Sequence, residues 1–200
     1  MPVVGITGGI ATGKSTFARA LLRYLPAELF DADQVARDLL ENDSEVHAAV
    51  LRAFGVEFLN ENGDFDRARL RTLVFADATR RRELEAILHP VIRSRWIAQA
   101  QASAASGNWF CVDIPLLFET QAESHFDHVV VVACAPETQR RRLREMRGLD
   151  DAIAERIVQA QWDLRLKIEK ADHLIWNDSS PVHLEEQAAL LAALLRKRHG

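Results

Sequence analysis

Cysteine is scarce in this sequence, and long apolar runs are missing. The two cysteines, Cys111 and Cys134, fall inside segments that we predict to be buried strands. We therefore expect reduced thiols rather than a disulfide, which favours the cytoplasm. The longest apolar runs, 129–135 and 188–195, are far shorter than the roughly 20 residues of a membrane-spanning helix. No basic stretch followed by an apolar one opens the chain, so we expect neither an export signal nor a membrane partner.

The net charge argues against a nucleic-acid-binding protein, and the histidine spacing argues against a structural metal site. The formal net charge is −4, which gives no support to nucleic-acid binding, because that function needs a basic surface. The seven histidines occur at no spacing typical of metal ligands, so we expect no structural metal. With 48% hydrophobic and 27% charged residues in a chain of 200, the composition is that of one α/β domain able to bury a core.

One motif near the start of the chain predicts a phosphate-binding loop. It follows a β-branched segment at 3–7 and precedes a segment in which Phe17, Leu21, Leu22 and Leu25 form an apolar stripe at helical spacing. The pattern is G-x-x-x-x-G-K-[ST], in the strand–loop–helix context that a P-loop requires. The predicted ATP-binding residues of this loop are Gly8, Gly9, Ile10, Ala11, Thr12, Gly13, Lys14, Ser15 and Thr16.

The residue types in this motif match the chemistry of a bound triphosphate. Gly8 and Gly13 allow backbone conformations in which successive N–H groups point into one cavity. The N-terminus of the following helix favours phosphate at the same place. Lys14 brings a mobile positive charge to the β- and γ-phosphates, and the Ser15 hydroxyl is suited to bind Mg²⁺.

Four more segments, at 28–33, 109–114, 128–133 and 173–176, are typical of strands. The segment 128–133 contains four consecutive valines, and continuous apolarity of this kind indicates a parallel sheet covered on both faces. We therefore predict an α/β, P-loop kinase-like three-layer fold over 1–200, with a five-stranded parallel sheet.

Residues 44–106 are helical in pattern, and this block is too long for a simple crossover between strands. We predict a helical insertion at about 60–95. His89-Pro90 should interrupt it, since the residue before a proline avoids the helical region, and a new helix should begin at about Val91.

A second helical feature, at about 138–165, resembles a mobile lid. Residues 139–147 contain five arginines, and arginine forks suit phosphate oxygens. Gly148 then provides a bend, and a long amphipathic helix follows. A charge run of this kind is also compatible with a merely solvated helix face.

Two acidic residues lie where parallel strands are predicted to end. Ligands of doubly wound sheets bind beyond the carboxyl ends of the strands. Asp33 could therefore face the phosphates, or it could only cap the following helix. Asp113 could hold Mg²⁺ indirectly, or it could have a capping or structural role.

Among P-loop proteins, a kinase for a small molecule fits best. The sequence has no Asn-Lys-x-Asp motif for guanine and no Asp-x-x-Gly motif for a γ-phosphate switch. A lid would exclude water, which would otherwise hydrolyse ATP. Two alternatives stay open: another small-molecule kinase, such as one for nucleoside monophosphates, and a nucleotide-dependent switch or assembly factor with a protein partner.

The sequence resembles the dephospho-CoA kinase family from end to end. The segments that carry the resemblance are Gly5-Ile6-Thr7-Gly8-Gly9-Ile10, Asp31-Ala32-Asp33 with Ala36-Arg37, His89-Pro90-Val91-Ile92, Pro115-Leu116-Leu117-Phe118-Glu119, Gln139 with Arg142, and Arg156 with Gln161.

This resemblance implies phosphoryl transfer from ATP to the ribose 3′-hydroxyl of dephospho-CoA, with Mg²⁺. Asp33 would be the base, assisted by Lys14 and by Arg142 of the lid. The insertion would bind the acceptor, and the implied acceptor-binding residues are Asp33, Arg37, His89, Pro90, Ile92, Leu116, Phe118, Glu119 and Gln161.

Two further expectations concern the nucleotide site and the assembly. Asn177, after the fifth strand, is our candidate for the adenine contact. The chain has Met146-Arg147-Gly148 where the family's lid carries Arg-Asp-Gly, so Arg147, or Arg142 with Arg144, would supply the lid charge. We expect a monomer or a weak homo-oligomer.

Overall fold

Five parallel strands form one sheet in the computed structural model, which describes residues 2–147 and 151–199. The strands are β1 (Val3–Gly8), β2 (Ala27–Asp31), β3 (Trp109–Asp113), β4 (His128–Ala133) and β5 (His173–Trp176). Their order is β2-β3-β1-β4-β5, and every pairing is parallel. The predicted five-stranded parallel sheet is therefore confirmed, and the phosphate loop leaves its central strand.

Helices connect the strands and include two short 3₁₀ segments, Val56–Phe58 and Glu123–His125. The α-helices are α1 (Lys14–Leu21), α2 (Ala32–Asn42), α3 (Ser44–Phe54), α4 (Arg67–Ala76), α5 (Ala78–Ala105), α6 (Pro136–Arg147), α7 (Asp151–Gln159), α8 (Leu164–Glu169) and α9 (Pro181–His199). Within 2–147 and 151–199, none of them combines the length and apolarity needed to cross a bilayer.

The chain forms two compact units. One comprises Met1–Asp31 with Gln99–Gly200 and contains the sheet, and the other is Ala32–Ala98. In the second unit, Asp43 caps α3 and accepts a 2.8 Å bond from Arg95 of α5. Arg80 of α5 bonds Ala53 O, with its guanidinium 4.4 Å from the Phe54 ring centroid. These contacts tie α3 to α5 inside that unit.

The core of the first unit lies between the sheet and two helices. The apolar stripe predicted for α1 is fully buried at Phe17, Leu21 and Leu25. It belongs to one cluster with residues of β1, β4 and α9, among them Val4, Val130 and Leu195. Burying each such side chain stabilises the fold by about 1.5–3 kcal/mol. This packing fixes α1, and with it the end of the phosphate loop.

The predicted interruption at His89-Pro90 is wrong, because α5 runs unbroken from Ala78 to Ala105 with Pro90 inside it. Leu88, Ile92 and Trp96 are buried at four-residue spacing on both sides of the proline, while Pro90 itself is exposed. An internal proline costs a helix about 3 kcal/mol. Three buried apolar side chains contribute more than that, so packing outweighs the lost hydrogen bond.

The second strand ends earlier than its acidic sequence predicts. β2 stops at Asp31 and α2 begins at Ala32, so Asp33 lies in the first turn of a helix.

Both cysteines are free and buried, as predicted. Burial raises the pKa of the Cys111 thiol to about 12 and that of Cys134 to about 11. Neither thiol is therefore a ready nucleophile at neutral pH.

Candidate active site

The phosphate loop connects β1 to α1 and depends on two of its glycines. Gly13 has φ +96°, and a Cβ there would lie 2.2 Å from Asn177 Nδ2. Gly8 has φ +151°, and its Cβ would lie 2.2 Å from the backbone oxygen of Val132. Only glycine satisfies both the backbone angles and the close approach. The sequence positions of these glycines are thus explained by the neighbours that the loop touches.

Side chains from outside the loop bind its carbonyl groups. Asn177, just after β5, donates from Nδ2 to Thr12 O at 2.8 Å. Arg142 of α6 donates from Nη2 to Asn177 O at 2.8 Å and from Nη1 to Thr12 O at 3.3 Å and Ala11 O at 3.5 Å. These donors occupy carbonyl oxygens whose negative partial charge would otherwise oppose an anion at the loop. The guanidinium also brings positive charge next to the loop.

Two glutamine side chains bind one peptide position of the loop. Gln139 of α6 donates from Nε2 to Ile10 O at 2.7 Å. Gln161, between α7 and α8, accepts from Ile10 N at 2.8 Å through Oε1. Ile10 is therefore held through both its backbone groups. Gln161, for which the resemblance implies acceptor binding, contacts the phosphate loop in this structure.

A hydroxyl and a carboxylate meet at the start of α1. Ser15 Oγ donates to Asp113 Oδ2 at 2.8 Å, and Asp113 is only 4% exposed at the end of β3. Hydroxyl and carboxylate oxygens suit Mg²⁺, which usually takes one or two protein ligands and completes its shell with phosphate and water. Among the described residues, no group of three or more His, Cys, Asp or Glu could hold a metal by itself. In chemical type, the two side chains fit a Mg²⁺ ion whose other ligands would be phosphate and water.

A buried lysine, which no sequence motif predicts, bonds to the segment that follows Asp113. Lys167 of α8 has a fully buried side chain, and Nζ donates to Glu119 Oε1 at 2.7 Å and to Pro115 O at 2.9 Å. Burial lowers its pKa, which the charge on Lys14 lowers further and Glu119 partly restores. The one sequence signal is that only Lys14 precedes it among the lysines of an arginine-rich chain.

The segment after β3, residues 114–119, carries three residues for which the resemblance implies acceptor binding. Phe118 is buried and stacks on Trp162, with ring centroids 6.4 Å apart and planes at 11°. Glu119 accepts from Trp162 N at 2.9 Å through Oε1, the oxygen that also binds Lys167. Leu116 is half-buried. This segment is therefore fixed to the connection between α7 and α8.

The remaining acceptor candidates lie in the unit Ala32–Ala98. Asp33 is exposed in the first turn of α2, and Arg37 is exposed and donates to Gln34 Oε1 at 2.8 Å. On α5, Ile92 is buried and His89 half-buried. Burial, followed by the charge on Arg93, lowers the pKa of His89, so this imidazole is neutral at neutral pH.

The predicted lid is described only in part. Its bend at Gly148 lies outside the described residues, as do the side chains of Met146 and Arg147. The flanking helices α6 and α7 approach at Arg140 Nε and Glu155 Oε2, 4.0 Å apart. Arg144 and Arg156 are exposed.

A parallel sheet whose central strand runs through a glycine loop into a helix, with a serine–aspartate pair at the helix start, is the architecture of a P-loop protein. Shikimate kinase from Bacteroides thetaiotaomicron shares this fold, with a TM-score of 0.56 over 98% of both chains at 17% identity.

Comparison with known families gives a narrower assignment. A family model described as dephospho-CoA kinase matches residues 2–183. A dephospho-CoA kinase from Anaeromyxobacter dehalogenans is 42% identical over 100% of this chain and 95% of its own length. The structure of the Campylobacter jejuni dephospho-CoA kinase matches with a TM-score of 0.70 and 28% identity, over 99% of this chain and 98% of that one. The chain belongs to the dephospho-CoA kinase family.

Proposed function

We propose that this chain transfers the γ-phosphate of ATP to the ribose 3′-hydroxyl of dephospho-CoA, giving CoA and ADP. The observation that carries the proposal is a supported phosphate loop in a chain that matches dephospho-CoA kinases over nearly its whole length. The reaction is the last step of coenzyme A synthesis, and we assign it to the cytoplasm, where ATP is available and thiols stay reduced.

The phosphate loop binds the triphosphate of ATP in this proposal. The N-terminus of α1, whose first turn has no acidic residue, attracts the β- and γ-phosphates. Loop amides add to this attraction, except those of Ile10 and Thr12, which are bonded to Gln161 and to Gly9 O. Lys14 adds a positive charge that acts before and during transfer. Arg142 and Asn177 support binding through the loop carbonyls that they contact. A direct contact between Asn177 and adenine stays a prediction.

Ser15 and Asp113 would hold Mg²⁺, Ser15 directly and Asp113 through its hydrogen bond or through a bound water. Bound there with ATP, the ion offsets negative charge on the phosphate oxygens. The 2.8 Å contact between Ser15 Oγ and Asp113 Oδ2 supports this assignment, because it aims a carboxylate at the hydroxyl that would be the ligand.

Asp33 is the proposed general base. The 3′-oxygen forms a bond to the γ-phosphorus while the bond from that phosphorus to the β–γ bridging oxygen breaks. The hydroxyl proton passes to the Asp33 carboxylate, and ADP leaves with the bridging oxygen. Lys14 and Arg142 stabilise the negative charge of the transferring group, as positioned cations do in phosphoryl transfer.

The proposed acceptor-binding residues are Arg37, His89, Pro90, Ile92, Leu116, Phe118, Glu119 and Gln161. The structure adds a physical reason for two of them. Glu119 and Gln161 are held by hydrogen bonds to a neighbouring segment and to the loop, and side chains held in this way lose less entropy on binding a ligand.

A coupled assay of ADP release tests the proposal against its alternative. Purified protein with Mg-ATP should release ADP rapidly with dephospho-CoA, and slowly with a panel of nucleosides and nucleoside monophosphates. Rapid ADP release with a nucleoside monophosphate and none with dephospho-CoA would favour the nucleotide kinase alternative. Slow release that no acceptor accelerates would contradict both.

A further inference from the structure

Three segments near the phosphate loop meet at the ammonium group of Lys167. Its two acceptors, Pro115 O and Glu119 Oε1, belong to the segment after β3. Glu119 Oε1 also accepts from the backbone N–H of Trp162, at the connection between α7 and α8. One buried cation therefore joins α8, that connection and the segment after β3.

Two short routes lead from this ammonium to the phosphate loop. Along the first, Glu119 holds Trp162, and the adjacent Gln161 accepts the Ile10 N–H at 2.8 Å. Along the second, Pro115 O also accepts a 3.1 Å bond from the hydroxyl of Thr7, the residue before Gly8. Displacing Glu119 or Pro115 would thus move groups that bond directly to the loop or to its base.

Stability alone is a weak reason for a pair buried in this way. A buried ion pair loses solvation, and an apolar pair of similar size is often equally stable. A single buried charge is costly, so each partner of the pair must stay aligned with the other. The arrangement is therefore well suited to fixing positions. The charge on Lys14 contributes to lowering the pKa of Lys167, so the two ammonium groups lie close enough to repel each other.

We propose that Lys167 is a positioning residue for phosphoryl transfer. Its ammonium fixes Glu119 and Pro115, so that Gln161 keeps its bond to Ile10 and the loop keeps the shape that binds ATP. The link to transfer rests on the proposed function, whereas the effect on ATP binding does not depend on the acceptor.

The test distinguishes a displaced phosphate loop, which would weaken binding of an ATP analogue, from a less stable fold, which would lower the Tm. Lys167→Met alone leaves Glu119 buried without its cation, so the decisive variant is the double substitution Lys167→Met/Glu119→Gln, which removes both charges and keeps their volume. Lys170→Met, at an exposed lysine just after α8, is the matched control. Each protein is measured for its Tm and for its Kd with a Mg-bound, non-hydrolysable ATP analogue, without acceptor.

The double variant should keep a Tm within a few degrees of the parent and bind the analogue about tenfold more weakly, the lower end of the range for losing one hydrogen bond to a charged group. Lys170→Met should match the parent in both. A double variant that binds the analogue as the parent does overturns the proposal.

A third variant, Gln161→Leu, keeps the proposal open to contradiction even if the double variant does not fold. Gln161→Leu cuts the first route without touching the buried charges, and it should weaken analogue binding to a similar extent. When Gln161→Leu is present, adding Lys167→Met/Glu119→Gln should weaken binding by less than the roughly tenfold expected for it alone, because the two changes share the contact at Ile10 and only the route through Pro115 O is still intact. Unchanged binding in Gln161→Leu, or fully multiplicative losses, would overturn the proposal. Failure of the parent to phosphorylate dephospho-CoA would instead count against the proposed function and leave these affinities meaningful.

Discussion

At the residue scale, the phosphate loop is shaped by polar side chains that lie far from it in the sequence. Ile10 is bonded through its C=O to Gln139 and through its N–H to Gln161, and Thr12 O accepts from Asn177. These donors and acceptors come from α6, from the connection after α7 and from the end of β5. These contacts hold the loop in one conformation, which reduces the ordering that ATP binding requires.

Asp33→Asn tests the proposed base. The amide cannot accept the hydroxyl proton, so kcat should fall by about 10²–10⁴-fold, the usual contribution of a positioned general base. ATP binding should persist, since the loop is untouched. Steady-state kcat and calorimetric ATP affinity, measured on the same preparation, check the two halves of this prediction.

Asp38→Asn is the control, because Asp38 lies on the same helix and accepts a 2.9 Å bond from Gln34. It should leave kcat within about twofold of the parent, since asparagine keeps the Oδ1 acceptor for this bond and Asp38 has no proposed part in proton transfer. A near-normal kcat in Asp33→Asn would reassign Asp33 to the first turn of α2 as a helix-stabilising acid.

The motif residues could be predicted from the sequence, and their supporting residues only in part. Gly8, Gly13, Lys14 and Ser15 follow from local chemistry in a strand–loop–helix pattern, and Asp113 follows from its place at the end of a strand. Lys167 could not be derived in the same way. Its burial depends on pairing with a carboxylate 48 positions away, between Glu119 and Lys167, and a lone lysine gives no local sign of such a partner.

At the element scale, the continuity of α5 through Pro90 shows that tertiary packing outweighs a local sequence preference. The avoidance of helix before a proline is a local preference, and it predicts a break that the structure does not contain. Leu88, Ile92 and Trp96 form one buried stripe along the helix, and a break would expose part of it. The strand boundaries were more predictable, because continuous apolar runs such as 128–133 coincide with β4.

Pro90→Ala should therefore stabilise the protein. Alanine restores an N–H donor inside α5 and removes the ring, a gain of up to about 3 kcal/mol. The unfolded chain gains freedom worth about 0.4–1 kcal/mol, which offsets part of that. The expected net increase in unfolding free energy, about 2 kcal/mol, is measured by urea denaturation.

Pro181→Ala is the matched control, since Pro181 is the first residue of α9, where a missing N–H costs little. It should give no such gain. If Pro90 also contacts the acceptor, Pro90→Ala will raise KM for dephospho-CoA while it raises stability. A variant no more stable than the parent would mean that the proline already fits the helix without cost.

At the scale of the whole molecule, a chain of imidazoles joins the sheet to the last helix, at the end of the strands opposite the phosphate loop. His128 Nε2 lies 2.7 Å from His199 Nε2, and His128 Nδ1 lies 3.3 Å from His173 Nε2. These residues begin β4 and β5 and end α9. Burial is the main cause that lowers the pKa of both His128 and His173.

Stability should therefore fall on acidification. A lowered pKa means that the folded state binds protons less readily than the unfolded chain, so the full stability is present above the ordinary value of 6.5 and is lost as pH falls below it. Neighbouring imidazoles and Arg198 reinforce the lowering, while Asp172, and for His128 also Asp127, oppose it.

His173→Gln should make the unfolding free energy less steep in pH between about 7.5 and 5.5, by at most one proton. His183→Gln, at an exposed histidine of α9, should keep the parent's slope. Equal slopes in all three proteins would show that the imidazole chain does not contribute to acid sensitivity.

The sequence predicted the five-stranded parallel sheet and the dephospho-CoA kinase family, and both are confirmed. Strand order was not predicted, because the pairing of strands depends on long-range contacts that no local pattern encodes. The lid, the metal role of Ser15 and Asp113, and the assembly state stay predictions.

The central claim is that a loop-bound triphosphate donates its γ-phosphate to the ribose 3′-hydroxyl of dephospho-CoA. Its most direct test is to identify the product formed from Mg-ATP and dephospho-CoA, by mass spectrometry for the added phosphate and by ³¹P NMR for its position. The account predicts one added phosphate on the 3′-oxygen, giving a product indistinguishable from CoA. No added phosphate, or a phosphate attached elsewhere, would contradict it.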